Sequence, residues 1–272
     1  MKYMLLASDL DGTLNNSSGR ITEGNKEAIR KAVESGLNFV ICSGRSQNSV
    51  DAFNKELGLN EPGCFGISFN GGTVYKADTL EVLYEHRMIR ADALRVINAI
   101  KTIDPQTPVM VYVEGNLIYY TDDNENIAGY AGRVDIKKRK VESFEEIPSD
   151  ILKMIIRWDP DKLIKIHDLV KAEIEDFCDM VFSDSHLLEF APKGSNKSEG
   201  LRFLAGHLGL DMVQTVAMGD NYNDAEMIRD AGFGVAVENA VDEIKAMADY
   251  VTGNNNDNDA VKEVIELLLN LD

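Results

Sequence analysis

The chain has 272 residues with 46 acidic and 28 basic side chains, a formal net charge of −18, and so lacks the basic excess that nucleic acid or an anionic membrane surface demands. Its length permits a sizeable core in one large or two modest domains, and 44% hydrophobic with 27% charged residues is ordinary for a soluble globular protein. A small phosphorylated partner stays open, because one metal ion and one or two placed cations can dominate a local field. Cys42, Cys64 and Cys178 are widely spaced and form no Cys-x-x-Cys pair, so they read as reduced thiols of a cytoplasmic protein. The apolar run after Lys2 ends at Ser8-Asp9, too soon for a signal peptide. No stretch approaches the roughly 20 apolar residues of a membrane span.

In chain order, Met4 to Ala7 reads as a buried parallel strand. Thr22 can cap a helix whose apolar stripe is Ala28, Ile29, Ala32 and Val33, stopped by Gly36. Phe39 to Cys42 is a second buried strand, and Val50, Phe53 and Leu57 mark a helix stopped by Gly58. Cys64 to Phe69 is a third strand running into the hairpin signal Asn70-Gly71-Gly72. Regular alternation then lapses. Ala91 to Ile103 reads as a helix, and Val109–Val113 with Leu117–Tyr120 as a hairpin turning at Glu114-Gly115-Asn116. Lys153 to Trp158 is a strand, Leu163 to Phe177 a helix, and Val181-Phe182 with Leu187–Phe190 a further hairpin, the composition of an α+β insert. Alternation resumes with a helix over Lys197 to Leu208 and a strand over Thr215 to Met218. Then come a helix face of Asp224, Met227, Ile228 and Ala231, a strand over Phe233 to Val237, and helices over 241–248 and 261–269. The pattern predicts a doubly wound, mostly parallel α/β core over 1–83 and 190–272, interrupted by a separate α+β domain over 84–189.

The chemistry gathers at strand ends. The first strand delivers Asp9 and Asp11 into the turn Gly12-Thr13. Two desolvated carboxylates side by side repel, and a bound divalent cation is the usual relief. Ligands of open parallel sheets lie beyond the carboxyl ends of the strands. Three apolar strands end there in polar clusters: Asp9-x-Asp11-Gly12-Thr13, Ser43-Gly44-Arg45, and Gly219-Asp220-Asn221-x-Asn223-Asp224. Lys197 stands near a helix start, where free N–H groups favour anions. If the strands are parallel, carboxylates, a hydroxyl, an ammonium and backbone donors meet in a divalent-metal and phosphate site.

In this order and spacing, Asp9-Leu10-Asp11-Gly12-Thr13-Leu14, Ser43, Lys197 and Gly219-Asp220-x-x-Asn223-Asp224 resemble the four motifs of haloacid dehalogenase (HAD) superfamily phosphatases. Ile41-Cys42-Ser43-Gly44-Arg45, Asn70-Gly71, Asn239-Ala240 and the insert look like the Cof-type subgroup with its large α+β cap. The resemblance implies that Asp9 is the nucleophile, giving an aspartyl-phosphate, and that Asp11 is the acid and base. It implies Mg²⁺ on the carboxylates of Asp9 and Asp220 and the backbone carbonyl of Asp11. Ser43, Gly44, Lys197 and Asn223 would hold phosphate, Thr13 and Asp224 would support the site, and Arg45 and Asn70 are candidate substrate contacts. The implied protein is a cytoplasmic Mg²⁺-dependent phosphatase of small phosphorylated metabolites. A phosphomutase and a non-catalytic sensor of such a metabolite are the alternatives. The chain departs from the family at Ser198, where Gly is frequent, and at Asn258-Asp259, where an Asp-Gly pair is frequent.

Overall fold

The computed structural model of the chain describes residues 2–114, 117–133 and 136–270. The described residues fall into two compact units, 2–85 with 196–270, and 86–195. The first unit begins with β1 (Leu5–Ser8), α1 (Glu23–Glu34), β2 (Asn38–Cys42), α2 (Gln47–Glu56), β3 (Phe65–Ser68), β4 (Thr73–Lys76) and β5 (Val82–Glu85). The second comprises α3 (Arg90–Ile103), β6 (Val109–Glu114), β7 (Leu117–Tyr120), α4 (Glu125–Arg133), β8 (Lys137–Lys140), β9 (Lys153–Arg157), α5 (Pro160–Ile174), β10 (Cys178–Asp184) and β11 (Leu187–Pro192). The chain returns to the first with α6 (Lys197–His207), β12 (Thr215–Gly219), α7 (Ala225–Asp230), β13 (Phe233–Ala236), α8 (Asp242–Met247), β14 (Tyr250–Val251) and α9 (Ala260–Leu269).

The first unit is a doubly wound α/β sheet in the order β14-β13-β12-β1-β2-β3-β4-β5. β14 through β3 are parallel, and β4 and β5 turn back antiparallel. β1 lies between β12 and β2, with Ala7 opposite both Ala217 and Val40. Successive side chains of a strand point to opposite faces. Leu6 accordingly packs with Ile29, Ala32, Val264 and Ile265 of α1 and α9, while Leu5 and Ala7 pack with Leu201 and Leu204 of α6. Both faces are covered, which is why the strands read as uninterrupted apolar runs. Thr22 caps α1 as its sequence predicts, its side chain accepting from the Asn25 backbone N–H at 3.3 Å. The hairpin after β3 differs in one detail. Phe69 and Asn70 already have positive φ, both 52°, ahead of Gly71 at 87°. A Cβ on Gly71 would lie 2.0 Å from the Asn196 carbonyl oxygen, so this turn presses against the start of α6 only because Gly71 has no side chain.

The second unit is a sheet in the order β10-β11-β9-β6-β7-β8, antiparallel except for β7 with β8. One face packs on Val96, Ile97 and Ile100 of α3 and Leu163, Ile166 and Val170 of α5. β6 and β7 pair antiparallel as expected, Val111 opposite Tyr119, while Gly115 and Asn116 of the predicted turn lie outside the described residues. α4 and β8 have no counterpart in the sequence reading. β8 is Lys-Lys-Arg-Lys, exposed throughout, and carries no apolar alternation to betray a strand. The strand Leu187–Pro192 runs past residue 189 within this unit, pairing with Cys178–Asp184 up to Pro192. No helix among the described residues is long and apolar enough to cross a membrane.

Candidate active site

Because β12, β1 and β2 are adjacent and parallel, the turns after them open on the same sheet end. Asp9 follows β1 and is 5% exposed. Lys197 is the first residue of α6, which is capped by the Asn196 side chain. Its ammonium is fully buried, 2.5 Å from Asp9 Oδ1 and 2.6 Å from Asp224 Oδ1. Asp224 closes the short turn after β12. Its second oxygen accepts from the backbone N–H groups of Asp220 at 2.9 Å and Asn221 at 3.1 Å. Thr13 Oγ1 donates to Asp220 Oδ1 at 3.0 Å, tying the first turn to the last.

Asp9, Asp220 and Asp224 bring their ligating oxygens within 4.8 Å of one another. Among the described residues Lys197 is the one ammonium shared among these carboxylates, paired with Asp9 and Asp224. Burial pulls the lysine toward its neutral form, but the charges of Asp224 and Asp9 overcome it and raise its pKa. Burial pushes the Asp9 carboxyl well above the ordinary range; Lys197 opposes this, and the charges of Asp224 and Asp220 add to it. Burial and then Asp224 push Asp220 up to about 6. The donor set is hard oxygen, with more negative charge than the lysine can offset, and that suits a divalent cation. Asp224 is already committed to Lys197 and two backbone donors. Asp9 and Asp220 are therefore the carboxylates left to hold a metal. Behind the site, burial pushes the Cys42 thiol up to about 12.

Asp11 lies apart from this cluster. Its carboxylate is gripped on both oxygens by Arg45, from Nε at 2.8 Å and Nη2 at 2.6 Å, in a half-exposed pair. Ser43 is buried, and its hydroxyl accepts from the Arg45 backbone N–H at 3.3 Å. A Cβ on Gly44 would lie 2.9 Å from Asn70 Oδ1, and that oxygen accepts from Asn223 Nδ2 at 3.2 Å. Ser43, Gly44, Asn70 and Asn223 are thus brought together. One contributor went unassigned in the sequence: Asn239 Nδ2 donates to the Gly12 carbonyl at 2.7 Å and holds the first turn. The sequence signal for it is the Asn239-Ala240 pair, part of the resemblance to the Cof-type subgroup.

The two departures have local explanations. Ser198 Oγ donates to Asp230 Oδ2 at 2.7 Å, tying α6 to the end of α7. Asp259 has φ 63°, the left-handed region where glycine is favoured and aspartate tolerated. Its carboxylate accepts from the Thr22 hydroxyl.

A doubly wound sheet with an Asp-x-Asp turn, a buried lysine bridge and an α+β insert defines a hydrolase of the haloacid dehalogenase type. The comparisons agree: the family profile described as haloacid dehalogenase-like hydrolase matches residues 6–265. A solved haloacid dehalogenase-like hydrolase from Bacteroides thetaiotaomicron is 30% identical with a TM-score of 0.87, covering 98% of this chain and 99% of that one. YxeH of Bacillus subtilis, provisionally named a phosphatase, is 30% identical over 98% of this chain and 99% of its own. YwtE of the same organism, named a 5-amino-6-(5-phospho-D-ribitylamino)uracil phosphatase, is 28% identical over 97% of each. The chain belongs to the haloacid dehalogenase-like hydrolase family. It is a phosphatase.

Proposed function

We propose that this phosphatase hydrolyses small phosphate monoesters, with Mg²⁺ as cofactor, through an aspartyl-phosphate on Asp9. The observation that carries the reading is the buried Lys197 bridge, which holds one Asp9 oxygen at 2.5 Å at the mouth of β1. An Asp9 oxygen attacks phosphorus in line, and the bond from phosphorus to the leaving alcohol breaks. Asp11, protonated from solvent once Arg45 releases one of its oxygens, gives the oxygen of the leaving alcohol a proton. It then takes a proton from the water that attacks phosphorus, releasing inorganic phosphate and freeing Asp9. Lys197, Ser43, Gly44 and Asn223 receive the phosphoryl oxygens and stabilise the charge that develops on them. Asp9, Asp220 and the Asp11 carbonyl would hold a divalent cation, whose positive charge would let an anionic phosphate approach these carboxylates.

These groups act on any monoester, so we assign the choice of leaving group to the 86–195 unit. The YwtE name supports a substrate class of phosphorylated metabolites, its substrate being a monoester on a polyol chain bearing a heterocycle. The test is phosphate release from a panel of sugar, polyol and cofactor phosphates, with and without Mg²⁺, together with isomer analysis of the products. Metal-dependent phosphate release without isomers is the expected result. Isomer formation in place of release means a mutase, and binding without turnover across the panel means a sensor.

A further inference from the structure

The sheet of the 86–195 unit has two edges of opposite character. At one edge β8 presents Lys137, Lys138, Arg139 and Lys140, all exposed, a fence of cations of the kind that keeps an open strand from pairing with another chain. At the other, β10 is seven residues long, carries no cation, and leaves Val181 and Phe182 49% and 41% exposed. Its two acidic residues are held locally. Asp179 is bound by Lys193 at 2.7 Å and the Gly194 N–H at 2.8 Å, and Asp184 accepts from the His186 N–H at 2.7 Å in the hairpin turn.

We propose that β10 pairs antiparallel with β10 of a second copy of this chain about a two-fold axis, joining two sheets into one. The strand is self-complementary in that register. With Val181 opposite Val181, Met180 meets Phe182 on one face, Asp179 meets Ser183, and Cys178 meets Asp184. Directly opposed residues share a face, and like charges directly opposite destabilise a pair; here no two like charges are opposed. The apolar surface continues onto α5. His167 packs on Phe182 with ring centroids 5.3 Å apart, and Ile164, one turn earlier on the same flank, is 52% exposed. An isologous contact of this kind closes as a dimer. One strand and one helix flank bury less than the roughly 800 Å² per partner of a standard interface, so the dimer is concentration-dependent. The charge of −18 on each copy opposes it, so added salt strengthens it.

Sedimentation velocity of the full chain, from about 5 to about 500 μM at two salt concentrations, tests this. The expected result is a monomer–dimer equilibrium, tighter in high salt and weakened at least about tenfold by Val181→Lys, with phosphatase activity of the variant showing that it is folded. Val181→Cys should give a disulfide-linked dimer under mild oxidation, and Leu169→Cys, exposed on the other flank of α5, should not. A monomer throughout the range overturns the proposal, as does a dimer indifferent to Val181→Lys. Species longer than dimers also overturn it, because they mean a head-to-tail contact such as the cationic β8 of one copy on β10 of the next.

Discussion

The carboxylate cluster makes a thermodynamic prediction that needs no substrate. In the metal-free protein, burial and Asp224 hold Asp220 at about 6, against an ordinary value of 3.8. The folded state therefore binds that proton more tightly than the unfolded chain does. Its contribution to stability is complete below pH 3.8 and is lost as pH rises through about 6. The gap corresponds to about 3 kcal/mol, and Asp9 is displaced in the same direction. At about 2–4 °C per kcal/mol for a unit of this size, Tm falls on the order of 6–12 °C from below pH 3.8 to neutral pH, about two thirds of it above pH 4.5. With Mg²⁺ as the proposed cofactor, the ion would bind the ionised pair and not the protonated one, so it should restore about 3 kcal/mol at neutral pH when present near 100 times its Kd, and little at pH 4.5. The assay is scanning calorimetry of chelator-treated protein across this pH range, with and without Mg²⁺, for wild type and Asp220→Asn. The variant should lose the part of the pH slope that belongs to Asp220, keeping that of Asp9, and most of the Mg²⁺ response. An equal slope in both proteins, or a Mg²⁺ effect as large at pH 4.5 as at neutral pH, would refute the reasoning.

Three further outcomes are expected. Lys197→Met leaves Asp9 and Asp224 buried without their cation and should cost about 3–5 kcal/mol in metal-free protein at neutral pH, read by urea denaturation; a loss under about 1 kcal/mol means the bridge contributes little. Asp9→Asn should lose at least about 3 kcal/mol of transition-state stabilisation in kcat/KM and take up no phosphoryl group, so near-normal turnover by a clean preparation would sink the nucleophile assignment. Asp11→Asn should slow alkyl phosphates far more than an aryl phosphate with a good leaving group and should accumulate phospho-Asp9 detectable by mass spectrometry; an adduct on Ser43 instead would displace Asp9 from its role.

What was legible in the sequence was local. β1, β2 and β12 are apolar runs that each end in a polar cluster, so strand and candidate chemistry appear in one stretch of chain. The parallel pairing that unites three such stretches follows once helices separate the strands. Elements marked only by tertiary contact were hidden. β8 is four cations in a row, and only the neighbouring strand β7 makes it a strand. In α4 the buried residues Ile127, Tyr130 and Ala131 have helical spacing but follow an acidic run that reads as a loop.

Partnerships were hidden for the same reason. Arg45 alone is equally a surface residue or a substrate contact, and only the fold reveals that it grips Asp11, 34 positions away. Lys197 makes the point most sharply. A lysine at the start of an amphipathic helix is ordinarily solvated. Burying this one completely is tolerable only because two carboxylates from elsewhere in the chain, Asp9 and Asp224, arrive within 2.6 Å of it. Those carboxylates in turn are tolerable together because the lysine sits between them. Neither half is stable without the other, which makes the site one cooperative electrostatic unit. The charge left over lies on Asp220, which stands beside the bridge, outside its pairing and already raised to about 6, and that is the charge a divalent cation would offset.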